Sequence, residues 1–218
     1  MEPISNCSSD SGGSGFEGAV AVMQAIESQT LILYHTDLRG QWPEPAARAL
    51  AARLPYRKRL AVSGASAAAR ASLAGVALAL HALARATGEP VQAAQLVFGA
   101  DEKPQLAGGA ADFSIAHSGP YVGCAALRGA RVGLDLEFGS DARLENWVAR
   151  EAVVKAAGLG MRAVNEVQFT AAGVHCRGAT WHARTLAQFP GAAACAMTSV
   201  PVQAVVASAV PLAELFAA

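Results

Sequence analysis

The order of helical and extended segments is the feature that most restricts the fold of this chain. A long helix is predicted over Ala67–Arg85, where alanine and leucine dominate and a Gly and a Pro soon follow. Three extended segments come next without a helix between them, at residues 113–115, 122–127 and 131–137. Because consecutive strands joined by tight turns pair in antiparallel fashion, we expect one antiparallel sheet there rather than a β-α-β fold.

The same order of helix and then strands recurs in the second half of the chain. A second helix is predicted over Leu144–Ala157, and Gly158 ends it. Short strands are predicted after it at 167–169, 180–183, 193–198 and 202–207, and before the long helix at 30–34. We therefore predict the α+β class, with a disordered leader at 1–16, an N-terminal half at 17–110 and a C-terminal half at 111–218. A short strand or helix is also expected at 20–26.

Composition excludes several classes of function. Apolar residues make up 53% of the chain and charged residues 16%, which is typical of a compact globular protein. Seventeen basic and seventeen acidic side chains balance, so no overall charge attracts nucleic acid or an anionic membrane. The longest apolar run, 73–84, is too short to span a bilayer. The four cysteines are widely separated, which favours a reducing compartment, and we expect a cytoplasmic monomer.

The segment Arg131–Glu137 alternates acidic with apolar residues. Because side chains alternate faces along a strand, Asp135 and Glu137 share one face with Gly133, and the aliphatic residues point to the other. Two carboxylates beside a glycine, which leaves room for a ligand, suit a hard cation such as Mg²⁺. The alternative is a strand edge that faces solvent, where acids are common.

The helix that follows carries an acid and a lysine on one face. Glu151 and Lys155 are four residues apart, and Trp147 lies one turn before them. An exposed Glu–Lys pair is the simple interpretation. However, the helix is otherwise rich in alanine and valine, so it should be largely buried, and buried charges are costly unless they have a partner. If the helix packs beside the strand, Glu151 becomes a third carboxylate near Asp135 and Glu137.

Two upstream segments carry further candidate residues. Lys103-Pro104 lies in a predicted loop, and Phe113-Ser-Ile-Ala-His117-Ser-Gly119 places a histidine at the end of a strand. The basic residues Arg57, Lys58, Arg59 and Arg70 could supply an anion site, and a solvated basic loop is the alternative. His175, Cys176 and His182 are close in sequence but do not have a zinc-ligand spacing.

The order of these motifs resembles that of the 4′-phosphopantetheinyl transferases of the surfactin-synthetase-activating type. The shared order is Lys-Pro, Phe-x-x-x-His-Ser-Gly, Gly-x-Asp-x-Glu and Trp-x-x-x-Glu-Ala-x-x-Lys, over roughly residues 59–160. The resemblance implies a pseudo-dimer of two similar α+β halves with coenzyme A between them. It also implies transfer of the phosphopantetheine arm of coenzyme A to a serine of an acyl or peptidyl carrier protein.

By the same resemblance, each candidate residue has an expected role. Asp135, Glu137 and Glu151 would bind Mg²⁺, or Mn²⁺ in its place, and Glu151 would act as the base. Lys155 and His117 would contact the pyrophosphate. Lys103 and Pro104 would lie near the 3′-phosphate end of coenzyme A, with Arg59 and Arg70 as further candidate ligands of that phosphate.

The chain departs from the family pattern in several places. Glu102 stands before Lys103 where the family has glycine, Ser114 and Ala116 replace the usual Asn and Ser of the histidine motif, and Arg150 replaces Lys. Only nine residues separate Glu137 from Trp147, where the family has a much longer segment that helps to receive the carrier. A coenzyme A-binding protein without transferase activity is therefore the alternative function, and a structural partner subunit without a ligand is a second one.

Overall fold

The structure is a computed structural model that describes residues 30–62, 64–99 and 103–217. The leader predicted at 1–16, the element predicted at 20–26 and Glu102 lie outside these residues. The α-helices in the described part are α1 (Glu44–Ala52), α2 (Tyr56–Val62), α3 (Ala67–Thr87) and α4 (Arg143–Ala157). Two short 3-10 helices, Ala93–Gln95 and Met161–Glu166, accompany them.

The strands, in chain order, form two sheets and one small ribbon. They are β1 (Thr30–Asp37), β2 (Leu96–Val97), β3 (Gln105–Leu106), β4 (Ala111–Ser118), β5 (Tyr121–Arg128), β6 (Val132–Phe138), β7 (Gln168–Thr170), β8 (Gly173–Cys176), β9 (Ala179–Thr185), β10 (Ala192–Thr198) and β11 (Ala204–Ala209). The first sheet has the order β11-β1-β5-β4, the second has β6-β10-β9-β8-β7, and β2 pairs with β3. The α+β class is therefore confirmed.

The strand pairs are antiparallel except that β11 runs parallel to β1. One prediction needs correction, because the three consecutive strands do not form one sheet. β4 and β5 pair in the first sheet, whereas β6 pairs with β10 in the second. The change from one sheet to the other thus falls between β5 and β6. In addition, β11 brings the C-terminal part of the chain back to the first sheet.

Both sheets contain the same topological unit. In the first, β1 is followed by α3, β4 and β5, with the spatial order β1-β5-β4. In the second, β6 is followed by α4 and later by β9 and β10, with the order β6-β10-β9. Each unit is thus a strand, a helix and two strands, in which the last strand lies in the middle.

Three hydrophobic clusters define the layers of the molecule. The first joins the helices α1, α2 and α3 to one face of the first sheet. The second contains residues from both sheets, such as Leu33 and Leu127 with Leu134 and Ala196, so the two sheets pack face to face. The third joins α4 to the outer face of the second sheet. The layers are therefore helices, sheet, sheet and helix.

Helix α3 is long and apolar enough to cross a membrane if length and composition alone are considered. Most of its side chains are buried against the first sheet, and Gly75 allows close approach to Ile115 of β4. Core helices of globular proteins have this same composition, so α3 is accounted for by packing.

Candidate active site

Helix α4 lies directly on strand β6 because residue 133 is a glycine. A Cβ atom at Gly133 would be 1.9 Å from the carbonyl oxygen of Ala152 and 2.5 Å from the amide nitrogen of Ala156. The backbone of the helix therefore fills the space that the sequence suggested was left for a ligand. This close approach brings the acidic residues of β6 to the face of α4 that carries Glu151 and Lys155.

Asp135 and Lys155 form a largely buried ion pair between β6 and α4. The Lys155 Nζ atom donates to Asp135 Oδ1 at 2.5 Å, and Asp135 is only 3% exposed. Its second oxygen, Oδ2, is buried without a hydrogen-bond partner. Burial raises the pKa of Asp135 to about 6, and the like charges of Glu151 and Glu137 add to this rise, whereas Lys155 opposes it. The alternative of a solvent-facing acid at this position is wrong, because α4 covers this face of the strand.

Glu151 lies on the same face of α4 but does not form an ion pair with Lys155, whose partner is Asp135. Partial burial raises the pKa of Glu151, and the neighbouring charge of Glu137 raises it further, while Lys155 acts in the opposite direction. A carboxylate with a raised pKa is a better proton acceptor near neutral pH than an ordinary glutamate. The simple interpretation, an exposed ion pair between Glu151 and Lys155, is thus wrong.

Strands β4 and β6 run side by side in the same direction, although they belong to different sheets. At one end, the amide of Val132 donates to Asp112 Oδ2 at 2.8 Å. At the other end, the amide of Phe138 donates to the Ser118 hydroxyl at 3.1 Å, and that hydroxyl donates to Glu137 Oε2 at 2.8 Å. The end of β4 is thereby held beside the acidic end of β6.

His117 lies at this same end of β4 and retains contact with solvent. Partial desolvation lowers the pKa of its imidazole, and the positive charges of Lys155 and Lys58 lower it further. Lys58 of α2 donates to the Ser72 hydroxyl at 2.7 Å and lies 5.3 Å from the centre of the Phe98 ring. The structure thus brings together Asp135, Glu137, Glu151, Lys155 and His117. Lys58 of α2 lies close enough for its charge to act on His117.

Lys103 is not brought to this group. Its ammonium lies 2.5 Å from Asp112 Oδ2 and donates to the carbonyl of Val132 at 2.7 Å. Both contacts are at the starts of β4 and β6, whereas His117 and Glu137 are at the ends of these strands. Desolvation lowers the pKa of Lys103, and the Asp112 charge opposes this effect. Pro104 directly precedes β3, so the Lys-Pro motif lies at the opposite end of the junction between the sheets.

Arg59 and Arg70 are also apart from the acidic group. They line a separate pocket between α1, α2 and the start of α3. Residues that the predicted site did not include are Lys58 and Ser118. Lys58 was one of several basic candidates. Its contact with Ser72 joins α2 to α3, and it could be recognised only if residues 56–62 had been predicted as helical. Ser118 is part of the histidine motif Phe113–Gly119, but no function was predicted for it from the sequence.

The three carboxylates can be compared with the needs of a divalent cation. No group of three His, Cys, Asp or Glu side chains within residues 30–62, 64–99 and 103–217 is close enough to hold an ion as it stands. Two of the three carboxylates have partners of their own, since Lys155 contacts Asp135 and Ser118 contacts Glu137. The unpartnered, buried Oδ2 of Asp135 and the mutual electrostatic effects of the three acids nevertheless fit an oxygen-ligand site for Mg²⁺.

Comparisons with known proteins do not identify the chain. No protein-family model matches it, and no curated protein was found to be similar to it.

Proposed function

We propose that this chain is a Mg²⁺-dependent 4′-phosphopantetheinyl transferase that acts on coenzyme A and a carrier protein. The observation that carries the proposal is the Asp135–Lys155 pair, with one buried carboxylate oxygen that has no partner, beside Glu137, Glu151 and His117. Buried charges are destabilising unless they are fully paired and hydrogen-bonded, and ionisable groups with shifted pKa values concentrate at functional sites. The four ordered sequence motifs give this group its chemical interpretation.

In the proposed reaction the serine hydroxyl of the carrier attacks the phosphorus atom that bears the pantetheine arm. A new P–O bond to the serine forms, the bond to the adenosine 5′-phosphate breaks, and adenosine 3′,5′-bisphosphate leaves. The serine proton passes to Glu151, whose raised pKa favours this role. Because such displacements require mainly positioning and charge neutralisation, the cationic groups of the site are central.

Lys155 and His117 are the proposed phosphate ligands, and Lys58 extends this positive region. Lys155 would exchange Asp135 for a phosphate oxygen when coenzyme A binds. Asp135, Glu137 and Glu151 would hold Mg²⁺ or Mn²⁺, which neutralises charge on the pyrophosphate. Lys103, which the sequence pattern placed near the 3′-phosphate, is instead proposed to hold the two sheets together.

The topology supports the proposal at the level of the fold. Both sheets contain the same unit of one strand, one helix and two strands, and the acidic group lies where β4 of one unit meets β6 of the other. A pseudo-dimer with its substrate at the junction of two similar halves would have this arrangement. We propose that coenzyme A binds along this junction, between the end of β4 and helix α4.

The test is the mass of an apo carrier protein incubated with coenzyme A, Mg²⁺ and this chain. The expected product is the carrier with one added phosphopantetheine arm. Asp135→Ala and Glu151→Ala should each lower turnover by roughly 10²-fold, because each removes a ligand of the proposed Mg²⁺, which would stabilise charge in the transition state. Glu145→Gln is the matched control, since Glu145 is an exposed acid in the first turn of the same helix.

Activity of Asp135→Ala close to that of the unmodified chain, with limiting Mg²⁺, would contradict the assignment.

A second function is favoured by the contacts that occupy Asp135 and Glu137. In it, the chain binds coenzyme A without transferring the arm. Isothermal titration with coenzyme A, run beside the transfer assay, separates the two, because binding without any carrier modification fits only the second.

A further inference from the structure

A pocket of about 390 Å³ lies between α1, α2 and the start of α3, outside the acidic group. We call it the arginine pocket, and define it by the side chains of Arg48, Arg59, Arg70 and Trp42 above an apolar floor. The floor includes Ala47, Val62 and Leu73, all of which are buried. The volume falls in the range of small-molecule sites, which combine an apolar lining with a few polar groups.

Two arginines of this pocket are available for an anion. The Arg70 guanidinium carbon lies 5.5 Å from the centre of the Trp42 ring, within the distance of a cation–π contact. Arg59 is placed in a similar way, 5.7 Å from the Tyr56 ring. In the described part of the chain neither Arg59 nor Arg70 forms an ion pair with a carboxylate.

The charge of the pocket indicates what kind of anion would fit. Glu44 is its one acidic lining residue among those described, and it makes a single 3.4 Å contact with Arg48 on the exposed rim. Three positive charges and one negative charge leave an excess of two, which a dianion balances and a monoanion does not. Guanidinium groups bind phosphate through paired N–H donors, and the apolar floor favours a ligand with a hydrophobic body.

We propose that the arginine pocket binds a phosphate monoester with a compact apolar or aromatic body, at a site separate from that of coenzyme A. Lys155, His117 and Lys58 do not line the pocket, and none of its three arginines contributes to the pKa shifts of Asp135, Glu151 or His117. The site is therefore independent of the proposed function and could serve a regulator or a second substrate.

Phenyl phosphate is the probe for the test, and binding is followed by ligand-observed NMR and by Trp fluorescence. It should bind more tightly than inorganic phosphate, which lacks the apolar body, and more tightly than benzoate, which carries one charge. Arg59→Gln and Arg70→Gln should each weaken its binding by roughly tenfold or more. Arg53→Gln is the matched control, because Arg53 is an exposed arginine directly after α1 that does not line this pocket.

Circular dichroism and melting temperature establish that each variant is folded before its binding is compared. Lys155→Ala should leave phenyl phosphate binding unchanged, and so should saturating coenzyme A with Mg²⁺. Three results would overturn the proposal. They are no binding of phenyl phosphate at millimolar concentration, a loss of phenyl phosphate affinity in Arg53→Gln equal to that in the pocket variants, or displacement of phenyl phosphate by coenzyme A. The last result would make Arg59 and Arg70 part of the coenzyme A site.

Discussion

At the scale of single residues, Asp135 is the least ordinary group in the described part of the molecule. A buried carboxylate normally has partners for both oxygens, yet only Oδ1 has one here. An uncompensated buried oxygen costs roughly 1–3 kcal/mol, so it lowers the stability of the folded chain. Burial, together with the like charges of Glu151 and Glu137, raises the pKa of Asp135 to about 6 from an ordinary value of 3.8, although Lys155 opposes the rise.

A pH dependence of stability follows from this shift. Between pH values of about 4 and 6 the folded chain binds more protons at Asp135 than the unfolded chain does, so raising the pH lowers the free energy of unfolding. The loss attributable to Asp135 should be about 1–3 kcal/mol, and Asp135→Asn should remove it. Urea unfolding at several pH values, with a chelator present, measures the difference between the two proteins. Parallel pH profiles for both would rule out a raised pKa at this position.

At the scale of elements, the contact between β6 and α4 depends on the missing side chain of Gly133. The nearest atoms belong to the backbone of α4, so they cannot move aside as a flexible side chain could. This contact sets the separation between Asp135 on the strand and Lys155 on the helix. Gly133 is therefore important for the geometry of the acidic group, although it makes no polar contact with it.

Gly133→Ala should shift α4 away from β6. We expect the free energy of unfolding to fall by about 3 kcal/mol, because the added methyl group overlaps helix backbone. The Asp135–Lys155 contact should lengthen, so transfer should fall in the folded protein as well. Gly160→Ala is the control, since nothing lies within 4 Å of its Cβ position and its φ is −69°. Equal stability of the two variants, measured by urea unfolding, would contradict the role of Gly133.

The long elements could be predicted from the sequence, and their contacts could not. The composition of α3 and the alternation in β6 predicted the bounds of both elements to within a few residues, because composition and periodicity are local properties of the sequence. Strand β3 has only two residues, too few to produce such a pattern. The covering of Asp135 by α4 and the pairing of β6 with β10 depend on residues far apart in the chain, which a local pattern does not reveal.

At the scale of the whole molecule, the two sheets are joined at both ends of the β4–β6 junction. Ser118 connects the strands at the acidic end, and Lys103 connects them at the other end through Asp112 and the carbonyl of Val132. Lys103 is 13% exposed and Asp112 is 23% exposed, so this ion pair is shielded from much of the solvent. Removal of one partner from such a shielded pair leaves the other charge uncompensated, which costs more stability than breaking an exposed pair does.

Lys103→Ala should therefore act on stability rather than on ligand binding. Loss of its ammonium leaves Asp112 without a cation and the Val132 carbonyl with one fewer donor. We expect the free energy of unfolding to fall by about 2–3 kcal/mol. A double-mutant cycle with Asp112→Asn measures the coupling of the pair. Should the variant instead keep its stability and lose affinity for coenzyme A, Lys103 would be a phosphate ligand, as the sequence motif implied.

The connection between β6 and α4 is the feature that should limit which partner the whole molecule accepts. Strand β6 ends at Phe138 and α4 begins at Arg143, in agreement with the short spacing between Glu137 and Trp147. Asp141 accepts from the Arg143 amide at 2.8 Å, so the turn is closed without additional structure. The rim of the acidic group therefore lacks the longer segment that the 4′-phosphopantetheinyl transferases, whose motif order this chain resembles, are expected to use for the carrier. Phe138 and Trp147 remain exposed at this rim, at 51% and 41%.

We expect ordinary affinity for coenzyme A and a narrow preference among carrier proteins, because the partner must supply the surface that this rim lacks. The experiment compares the rates at which several unrelated carriers are modified at the same saturating concentration of coenzyme A and Mg²⁺. Phe138→Ser should slow the preferred carrier more than it weakens coenzyme A binding, since the Phe138 side chain is half exposed and its ring packs beside Gly119. Equally efficient modification of every carrier would mean that docking does not depend on the missing segment. Selective modification, lost on changing Phe138, would place the partner's contact at the short connection.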